Sequence, residues 1–331
     1  MIPAIASVQR AMLPLLCLVA TLVAGCESAS SPLGSPPDAP RFTEAFGVGL
    51  PGTIAFNSNR AGDWELFTMN PDGSGVEQIT HNGFRPYVYE ASWSPDRKRI
   101  AFADNFDIVV MNADGTGLTN LTHSDTIYEF SPAWSPDGRQ LAFSRTKGPC
   151  ACSTDIVVMN ADGSGLTQLT DNVPDQWGSF TSDLYPAWSP DGRHIAFTRK
   201  VNDSEIFIMN ADGSEVRRLT YSVGSGILYL GLAWSPNGQR IAFAANRDLA
   251  GNYRNRFQIF TMSADGTATL QLTDTSSNAN PAWSPNGRHI VFDSDRANGT
   301  QVFIMNADGS GVTQLTNDAS TNVPLAWNNG S

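Results

Sequence analysis

The chain has 331 residues, of which 41% are hydrophobic and 16% charged, so it is long enough to bury a substantial core. Its 29 Gly and 20 Pro are spread along the sequence, which favours many short strands joined by tight turns. The formal net charge is −11 and no basic patch is present, which argues against nucleic acid or an anionic lipid surface as a partner.

The first 25 residues have the pattern of an export signal. One cation, Arg10, precedes the apolar run "AMLPLLCLVATLVAG", which is too short to be a comfortable membrane span. The run ends at "VAGC", and small residues before a Cys resemble the lipobox of bacterial lipoproteins. That resemblance implies cleavage before Cys26 and acylation of this residue, which would anchor the protein on the periplasmic or cell-surface side of a membrane. An ordinary signal peptide and an uncleaved anchor stay open as alternatives.

A tether is predicted over residues 26–51, where the Ser/Pro-rich stretch "ESASSPLGSPPDAPR" has little to pack. Two further cysteines, Cys150 and Cys152, lie in "GPCACST". An exported protein can carry a disulfide, but a Cys-x-Cys ring is small and strained. A metal site would need more ligands than these two thiols. A disulfide that clips the loop and a pair of free thiols both stay open.

Residues 52–330 are a repeat. Three phrases recur six times in a fixed order, as variants of "AWSPDGR", "IAF" and "MNADGSG…LT". The Trp of the first phrase recurs every 41 to 54 residues, at Trp93, Trp134, Trp188, Trp234, Trp283 and Trp327. A period of this length, made of short apolar stretches and turns, indicates propeller blades rather than helical solenoids.

Each repeat predicts four antiparallel strands. "PAWS" is a first strand with a large aromatic residue, "SPDGR" is a tight turn, and "IAF" is the second strand. "DIVVMN" is a third strand rich in β-branched residues, "NADGSG" is the next hairpin turn, and "VTQLT" is the outer strand. The predicted fold class is therefore all-β, a six-bladed β-propeller.

The two ends of the repeat complement each other. The first "IAF", at Ile54, has no "AWSPDG" before it, and the last "LAWNNGS" has no second strand after it. We expect a strand from about Val323 to Trp327 to join strands from Thr53 to Thr80 in one blade. Such a blade closes the ring and leaves no free edge.

The phrases "PAWSPDGRHIAF" and "EIFIMNADGSEVRRLT" resemble the β-propeller repeats of the TolB family, in all six copies over about 52–330. The resemblance implies a six-bladed propeller, a periplasmic or cell-surface setting and a role in protein contacts. TolB itself carries an α/β domain before its propeller, through which it works in the Tol-Pal system, and here a tether stands in that place. Within the turns, Arg97 replaces a Gly, and Asn237 and Asn286 replace Asp.

A binding surface is predicted on the face that carries the 2–3 and 4–1 connections between strands. These connections vary from blade to blade, whereas the 1–2 and 3–4 turns are short and uniform. The 4–1 connections concentrate aromatic residues, which suit contact with a protein or a glycan. The candidate contacts are Tyr87, Tyr128, Trp177, Phe180 and Tyr229. Packing of some of them into the core between blades is the alternative.

Arginines recur shortly after "IAF", and Arg145, Arg199 and Arg247 are further candidates for partner contact on this face. The alternative is a structural pair with an Asp or Glu of a neighbouring loop, because repetition across blades is what a scaffold needs.

The sequence has no G-x-S-x-G nucleophile motif. His81 and His123 occupy matching positions in adjacent repeats and are the weak candidates for a metal site. Such a site would fit a metal-dependent lyase of the oligogalacturonate type, or a sugar binder that uses the central channel, but two ligands are too few to indicate one. We therefore predict a monomeric, non-catalytic protein without a cofactor, which binds an envelope protein or glycan.

Overall fold

The computed structural model describes residues 52–81, 91–124, 126–148, 153–172, 181–201, 203–222 and 226–328. Its regular structure is entirely β, which confirms the predicted fold class, and no helix in these ranges is long and apolar enough to cross a membrane. The strands are β1 (Ile54–Ser58), β2 (Glu65–Met69), β3 (Glu77–Gln78), β4 (Ala91–Trp93), β5 (Arg99–Asp104), β6 (Asp107–Asn112), β7 (Thr119–Asn120), β8 (Glu129–Trp134), β9 (Gln140–Thr146), β10 (Thr154–Asn160), β11 (Thr167–Gln168), β12 (Ser182–Trp188), β13 (His194–Lys200), β14 (Ser204–Asn210), β15 (Arg217–Arg218), β16 (Tyr229–Trp234), β17 (Arg240–Arg247), β18 (Tyr253–Ser263), β19 (Leu270–Gln271), β20 (Asn278–Trp283), β21 (His289–Ala297), β22 (Gly299–Asn306), β23 (Thr313–Gln314) and β24 (Asn322–Trp327).

The described strands form six antiparallel blades of four strands. Blade 1 is β4–β7, blade 2 is β8–β11, blade 3 is β12–β15, blade 4 is β16–β19, blade 5 is β20–β23, and blade 6 is β24 with β1–β3. The first strand of each blade contacts the first strand of the next, and β24 returns to β4, so the blades form a closed ring. One parallel pair, Thr154 with Ser182, also joins blades 2 and 3 into a continuous sheet.

Blade 6 closes the ring with strands from both ends of the repeat. In the antiparallel pair of β1 and β24, Ile54 lies opposite Trp327. Beyond this pair, the backbone N–H of Thr53 donates to Oδ1 of Asn328 at 2.7 Å, and the backbone N–H of Asn328 donates to the carbonyl of Thr53 at 3.0 Å. The predicted closure is therefore confirmed, and Thr53 and Asn328 meet where the other blades have a 1–2 turn.

The core lies between adjacent blades. Every residue of the six "IAF" copies is fully buried, because the second strand is covered by a neighbouring blade on both sides. Successive side chains of a third strand pack against opposite neighbouring blades. In blade 3, Ile206 and Ile208 pack toward blade 4, whereas Phe207 and Met209 pack toward blade 2. No blade buries both of its faces alone, which explains why the chain repeats the same phrases.

The "NADGSG" turns are held by the same bonds in blade after blade. In blade 2, Asn160 donates to the hydroxyl of Ser164 at 3.0 Å, and the backbone N–H and hydroxyl of Ser164 donate to Asp162 at 2.9 and 2.6 Å. The Gly that follows the Asp has a positive φ, in the left-handed region, and it lies against the preceding blade. A Cβ on Gly115 of blade 1 would stand 2.3 Å from the carbonyl oxygen of Ile79 in blade 6. The turn therefore sets both the hairpin and the spacing of the blades.

The outer strands are shorter than the sequence predicts, with two residues in each ladder. In blade 5, the backbone N–H of Val302 donates to the hydroxyl of Thr316 at 2.9 Å, and this hydroxyl donates to Gln301 at 2.8 Å. A side chain thus replaces the backbone ladder at the end of the "LT" phrase. Short outer strands present little unpaired edge to another chain.

Candidate functional site

Antiparallel pairing places the 1–2 and 3–4 turns at one end of the blades, which we call the turn face. The 2–3 and 4–1 connections lie at the other end, which we call the loop face. Several predicted site residues fall outside the described residues: Cys26, Tyr87, Cys150, Cys152, Trp177 and Phe180. The predicted contacts that the structure describes are Tyr128, Tyr229, Arg145, Arg199 and Arg247.

Two of the repeated arginines are held within their own blades. Arg199 donates to both carboxylate oxygens of Asp183 at 2.7 and 2.8 Å, and Arg145 lies 3.0 Å from a carboxylate oxygen of Glu129. Both acids belong to the first strand of the same blade. The two carboxylates are buried, and burial raises the pKa of Glu129 although Arg145 opposes that shift. Arg60, the arginine that follows "IAF" in blade 6, lies 2.9 Å from a carboxylate oxygen of Asp318 in the connection from blade 5, which is the loop pairing that the sequence left open.

The guanidinium groups also cover aromatic rings at the ends of the blades. The Cζ atom of Arg199 lies 5.4 and 4.9 Å from the ring centres of Phe197 and Phe207. Arg247 lies in the same way over Tyr229 and Phe260, at 5.6 and 5.1 Å. These arginines therefore close the aromatic core from the loop face, which is a structural role.

Tyr229 is a core residue. Its side chain is 1% exposed, its ring packs against Phe243, and burial raises the pKa of its hydroxyl. It stands five residues before the strand Trp234, where blades 2 and 3 have Glu129 and Asp183. The structure thus assigns Tyr229 to the alternative that the sequence left open, packing between blades, and removes it from the contact set.

Tyr128 is partly exposed and bridges two blades on the loop face. Its ring meets the ring of Phe106, from the 2–3 turn of blade 1, at 4.4 Å and an angle of 61°. The backbone N–H of Glu129, the next residue, donates to the carbonyl of Phe106 at 2.8 Å. This aromatic pair stays available for contact with a partner.

Four exposed apolar residues on the loop face do not follow the repeat. They are Val201, Tyr221, Leu249 and Tyr253, which are 47%, 73%, 58% and 47% exposed. Val201, Tyr221 and Leu249 belong to the 2–3 and 4–1 connections of blades 3 and 4, and Tyr253 is the first residue of β18, next to the 2–3 connection of blade 4. Only Tyr221 lies in a segment that the aromatic count had singled out. The length of the "NRDLAGNYR" connection is the signal that was missed for Leu249 and Tyr253.

These connections converge at Gly226. Its backbone N–H donates to Asp203 at 2.5 Å, and its carbonyl accepts from Asn246 at 3.0 Å. A Cβ at Gly226 would lie 3.6 Å from the ring of Tyr253. The 2–3 loop of blade 3, the entry to blade 4 and the 2–3 loop of blade 4 therefore form one surface, which we call the blade 3–4 surface.

Described residues that flank the segments 149–152 and 173–180 are in contact with one another. The hydroxyl of Ser153 lies 3.2 Å from the carbonyl oxygen of Asn172 and 3.0 Å from that of Thr181. The flanks of the Cys-x-Cys loop and of the loop with Trp177 are thus in contact on the loop face.

The histidine candidates do not form a metal site with described residues. His81 and His123 are both exposed at the ends of their outer strands. In the part of the chain that the structure describes, no group of three or more His, Cys, Asp or Glu is placed to hold a metal ion.

A family model described as the TolB beta propeller domain matches residues 126–248 and 226–330, more than half of the chain. The chain belongs to the TolB β-propeller family. Among solved structures, TolB from Acinetobacter baumannii is 21% identical with a TM-score of 0.65. The match covers 83% of this chain and 66% of that one. The putative TolB from Agrobacterium tumefaciens is 20% identical with a TM-score of 0.61, and the coverages are 84% and 91%.

An oligogalacturonate lyase from Vibrio parahaemolyticus is 12% identical with a TM-score of 0.53, and 77% of this chain covers 86% of it. At these identities the structural similarities show the fold alone. None of the curated proteins compared with this TolB-family chain matches it.

Proposed function

We propose that this TolB-family propeller is a lipid-anchored, non-catalytic protein of the bacterial cell envelope that binds a protein partner through its loop face. The observation that carries the proposal is the blade 3–4 surface. Its exposed apolar side chains are grouped on loops that hydrogen bonds fix together, as in a contact surface that is formed before binding.

The composition of this surface supports a protein partner. Tyr221 is 73% exposed and lies under the guanidinium of Arg218 at 4.7 Å, and Arg254 pairs with Asp248 beside Tyr253. Apolar and tyrosine contacts within a charged rim are typical of protein interfaces. The partner contacts that we propose are this surface, the Tyr128–Phe106 pair, and the predicted contacts Tyr87, Trp177 and Phe180.

Exposed apolar residues on the rest of the propeller have a different distribution. Val76, Leu118, Leu166, Val216, Leu270 and Val312 stand singly, one in each of the six blades, shortly after the 3–4 turn. Single exposed apolar residues are ordinary on a protein surface. They supply a matched control for the grouped residues of the blade 3–4 surface.

The binding test compares two double variants of the tagged full chain, solubilised in detergent and used to capture proteins from envelope extract. Leu249→Ser with Tyr253→Ser changes the blade 3–4 surface, and Val76→Ser with Val312→Ser changes two repeat positions of similar exposure. Each central interface residue contributes about 2 kcal/mol or more, so the first variant is expected to weaken capture at least about tenfold. The control variant is expected to capture the same partner as the wild type. Equal capture by both variants would refute the proposed surface.

The proposed anchor rests on the sequence before residue 27. Cells fed labelled palmitate are expected to label the wild type. Cys26→Ala, expressed behind an ordinary cleavable signal peptide, is expected to lose the label and to leave the membrane fraction. Wild-type protein that carries no label and does not sediment with membranes would exclude the anchor while leaving the binding proposal intact.

The alternative enzyme proposal rests on fold similarity to the lyase. Incubation of the purified chain with oligogalacturonate and Mn²⁺ tests it, because a lyase forms an unsaturated product that absorbs ultraviolet light. We expect no such product, and its appearance would replace the binding proposal with the enzymatic one.

A further inference from the structure

The first strands of the six blades surround a cavity of about 420 Å³ that opens on the turn face. The strand Trp of every blade lines it, together with seven Pro residues from the strands and turns. The indole of Trp283 donates to the carbonyl of Ala233 in the preceding blade at 3.2 Å, and Trp234 donates likewise to Ala187 at 3.1 Å. Neighbouring blades thus fix the walls of this cavity.

Polar groups reach the cavity at irregularities of the first strands. The ladders of blades 2, 3 and 5 shift register next to Ser131, Tyr185 and Asn280, and these residues have φ values of 59°, 58° and 49°. All three line the cavity. Non-glycine residues in this strained backbone conformation are often found at functional sites.

Arg97 is the one charged residue among the described residues that line the cavity. No Asp or Glu is in that lining, although the whole chain has a formal net charge of −11. The cavity is therefore a local positive site in an acidic protein, and its position favours an anionic ligand.

Arg97 occupies a backbone position that the repeat gives to glycine. Its φ is 62°, and the matching turn residues of blades 2 to 5 are glycines with φ values of 68° to 71°. A left-handed residue with a side chain costs about 1–2 kcal/mol relative to glycine. The turn of blade 1 keeps the arginine in spite of that cost.

Space for this side chain exists because blade 6 has no 1–2 turn. In the other blades the turn glycine faces the turn proline of the preceding blade; a Cβ on Gly138 would lie 3.3 Å from Pro95, for example. Blade 1 follows blade 6, where Thr53 and Asn328 meet instead of a turn. The side chain of Arg97 therefore extends into room that a proline takes elsewhere.

The guanidinium of Arg97 lacks a partner among the described residues. Its Nε is buried and donates no hydrogen bond to a described residue, in contrast to the Nε of Arg199, which donates to Asp183. A buried donor without an acceptor costs about 1–3 kcal/mol, and more if it is charged. A carboxylate would satisfy it, because the planar fork of arginine matches two carboxylate oxygens.

We propose that the cavity on the turn face binds a small organic carboxylate, with the carboxylate on Arg97 and a ring-sized body against the Trp and Pro walls. The volume accommodates one ring or two, and Ser131, Tyr185 and Asn280 offer polar contacts to the body. The site is independent of the proposed partner surface, which lies at the other end of the blades.

The test uses the emission of the tryptophans that line the cavity, with the purified full chain. Two carboxylates are titrated, benzoate and D-glucuronate, each beside its neutral counterpart, benzamide or D-glucose. At least one carboxylate is expected to change the emission in a saturable way, and the neutral counterpart is expected to bind at least about tenfold more weakly. Which of the two binds distinguishes an apolar ring from a polar one.

Arg97→Gly is the decisive variant, because it installs the residue that four other blades already have. It removes the charge and the strained backbone, so the fold is expected to melt at the same temperature or higher. Carboxylate affinity is expected to fall at least about tenfold. Lys98→Ala removes an exposed cation next in the chain that does not line the cavity, and it is expected to bind like the wild type.

Two results would overturn the proposal. The first is that neither carboxylate binds the wild type, as when another part of the chain already neutralises Arg97. The second is that Arg97→Gly binds as tightly as the wild type.

Discussion

Arg199 forms two parallel hydrogen bonds, 2.7 and 2.8 Å long, to Asp183, whose carboxylate is completely buried in blade 3. Arg199→Met removes the charge and leaves this carboxylate buried without a counter-ion. Breaking a buried pair from one side costs about 3–5 kcal/mol, and we expect the lower end because Arg199 is partly exposed. Urea unfolding measures the loss.

The matched variant is Arg199→Met with Asp183→Leu. Replacing both partners by apolar groups removes the unpaired charge, so most of the lost stability is expected to return. If the single variant unfolds at the same urea concentration as the wild type, the pair does not stabilise the blade. In that case a contact role for Arg199 would become the better interpretation.

Asp293 is a buried acid whose pKa is raised, whereas an ion pair lowers the pKa of an acid. Burial raises its pKa to about 6 from 3.8, and the hydrogen bond from Asn280 at 2.7 Å opposes that shift. Above pH 6 the folded protein holds a buried charge, so Asp293 lowers stability there. Between pH 6 and 3.8 only the folded state binds the proton, and this penalty disappears as pH falls.

Asp293→Asn is therefore expected to raise the free energy of unfolding at pH 8, by up to about 3 kcal/mol, and to match the wild type near pH 4. Asparagine keeps an acceptor for Asn280, and blade 6 has Asn57 at the same position. Asp162→Asn is the control, because its effect on stability at neutral pH is expected to have the opposite sign. Hydrogen bonds from Ser164 lower the pKa of Asp162, so that variant loses stability at neutral pH and matches the wild type at low pH. If the difference in the free energy of unfolding between Asp293→Asn and the wild type does not change with pH, the raised pKa of Asp293 is contradicted.

The sequence predicted the blades well because each repeat encodes its own local structure. Each signal concerns a single blade. These signals are the glycines of the turns, the β-branched third strands, and the unpaired phrases at Ile54 and Trp327. Each rule is local or periodic, and six copies confirm one another. The shortness of the outer strands was not predicted, because the backbone N–H of Val302 donates to the side chain of Thr316 instead of to a backbone carbonyl, and the residue pattern of "VTQLT" does not show that substitution.

The site was harder to predict because its contacts lie at positions where the repeat varies. The partner of each repeated arginine stands five residues before the strand Trp, and it is Glu129 in blade 2, Asp183 in blade 3 and Tyr229 in blade 4. The spacing of five residues from the strand Trp identifies this position. The sequence analysis used only the aromatic content of the 4–1 connections, and it therefore predicted Tyr229 as a surface contact. The blade 3–4 surface depends on loops that meet at Gly226, and no spacing within the repeat predicts that meeting.

Closure of blade 6 gives a prediction for the C-terminal strand. Deleting 322–331 leaves β1 with an unpaired edge and removes Trp327, which is 9% exposed, from the core between blades 5 and 6. Trp327→Ala alone keeps the strand and is expected to cost about 3–5 kcal/mol. The deletion is expected to cost more, with a lower melting temperature or aggregation. A deletion that melts like the wild type would show that β24 does not stabilise the ring.

The turn glycines give the last prediction, which separates backbone strain from contact between blades. Gly115 and Gly226 have almost the same φ, 83° and 84°, so alanine suffers similar strain at either position, about 1–2 kcal/mol. Their surroundings differ. The new Cβ at Gly115 would lie 2.3 Å from the carbonyl oxygen of Ile79 in blade 6, whereas at Gly226 the nearest atom, in the ring of Tyr253, is at an ordinary 3.6 Å.

Gly115→Ala is therefore expected to destabilise the protein by at least about 1 kcal/mol more than Gly226→Ala, because the outer hairpin of blade 1 must move away from blade 6. Urea unfolding of the two variants measures the difference directly. Hydrogen exchange locates it, since the amide of Ile79, which donates to the carbonyl of Leu66 at 2.8 Å, is expected to lose protection only in Gly115→Ala. Equal losses in the two variants would mean that the repeated glycine serves its own turn alone and does not set the distance between blades.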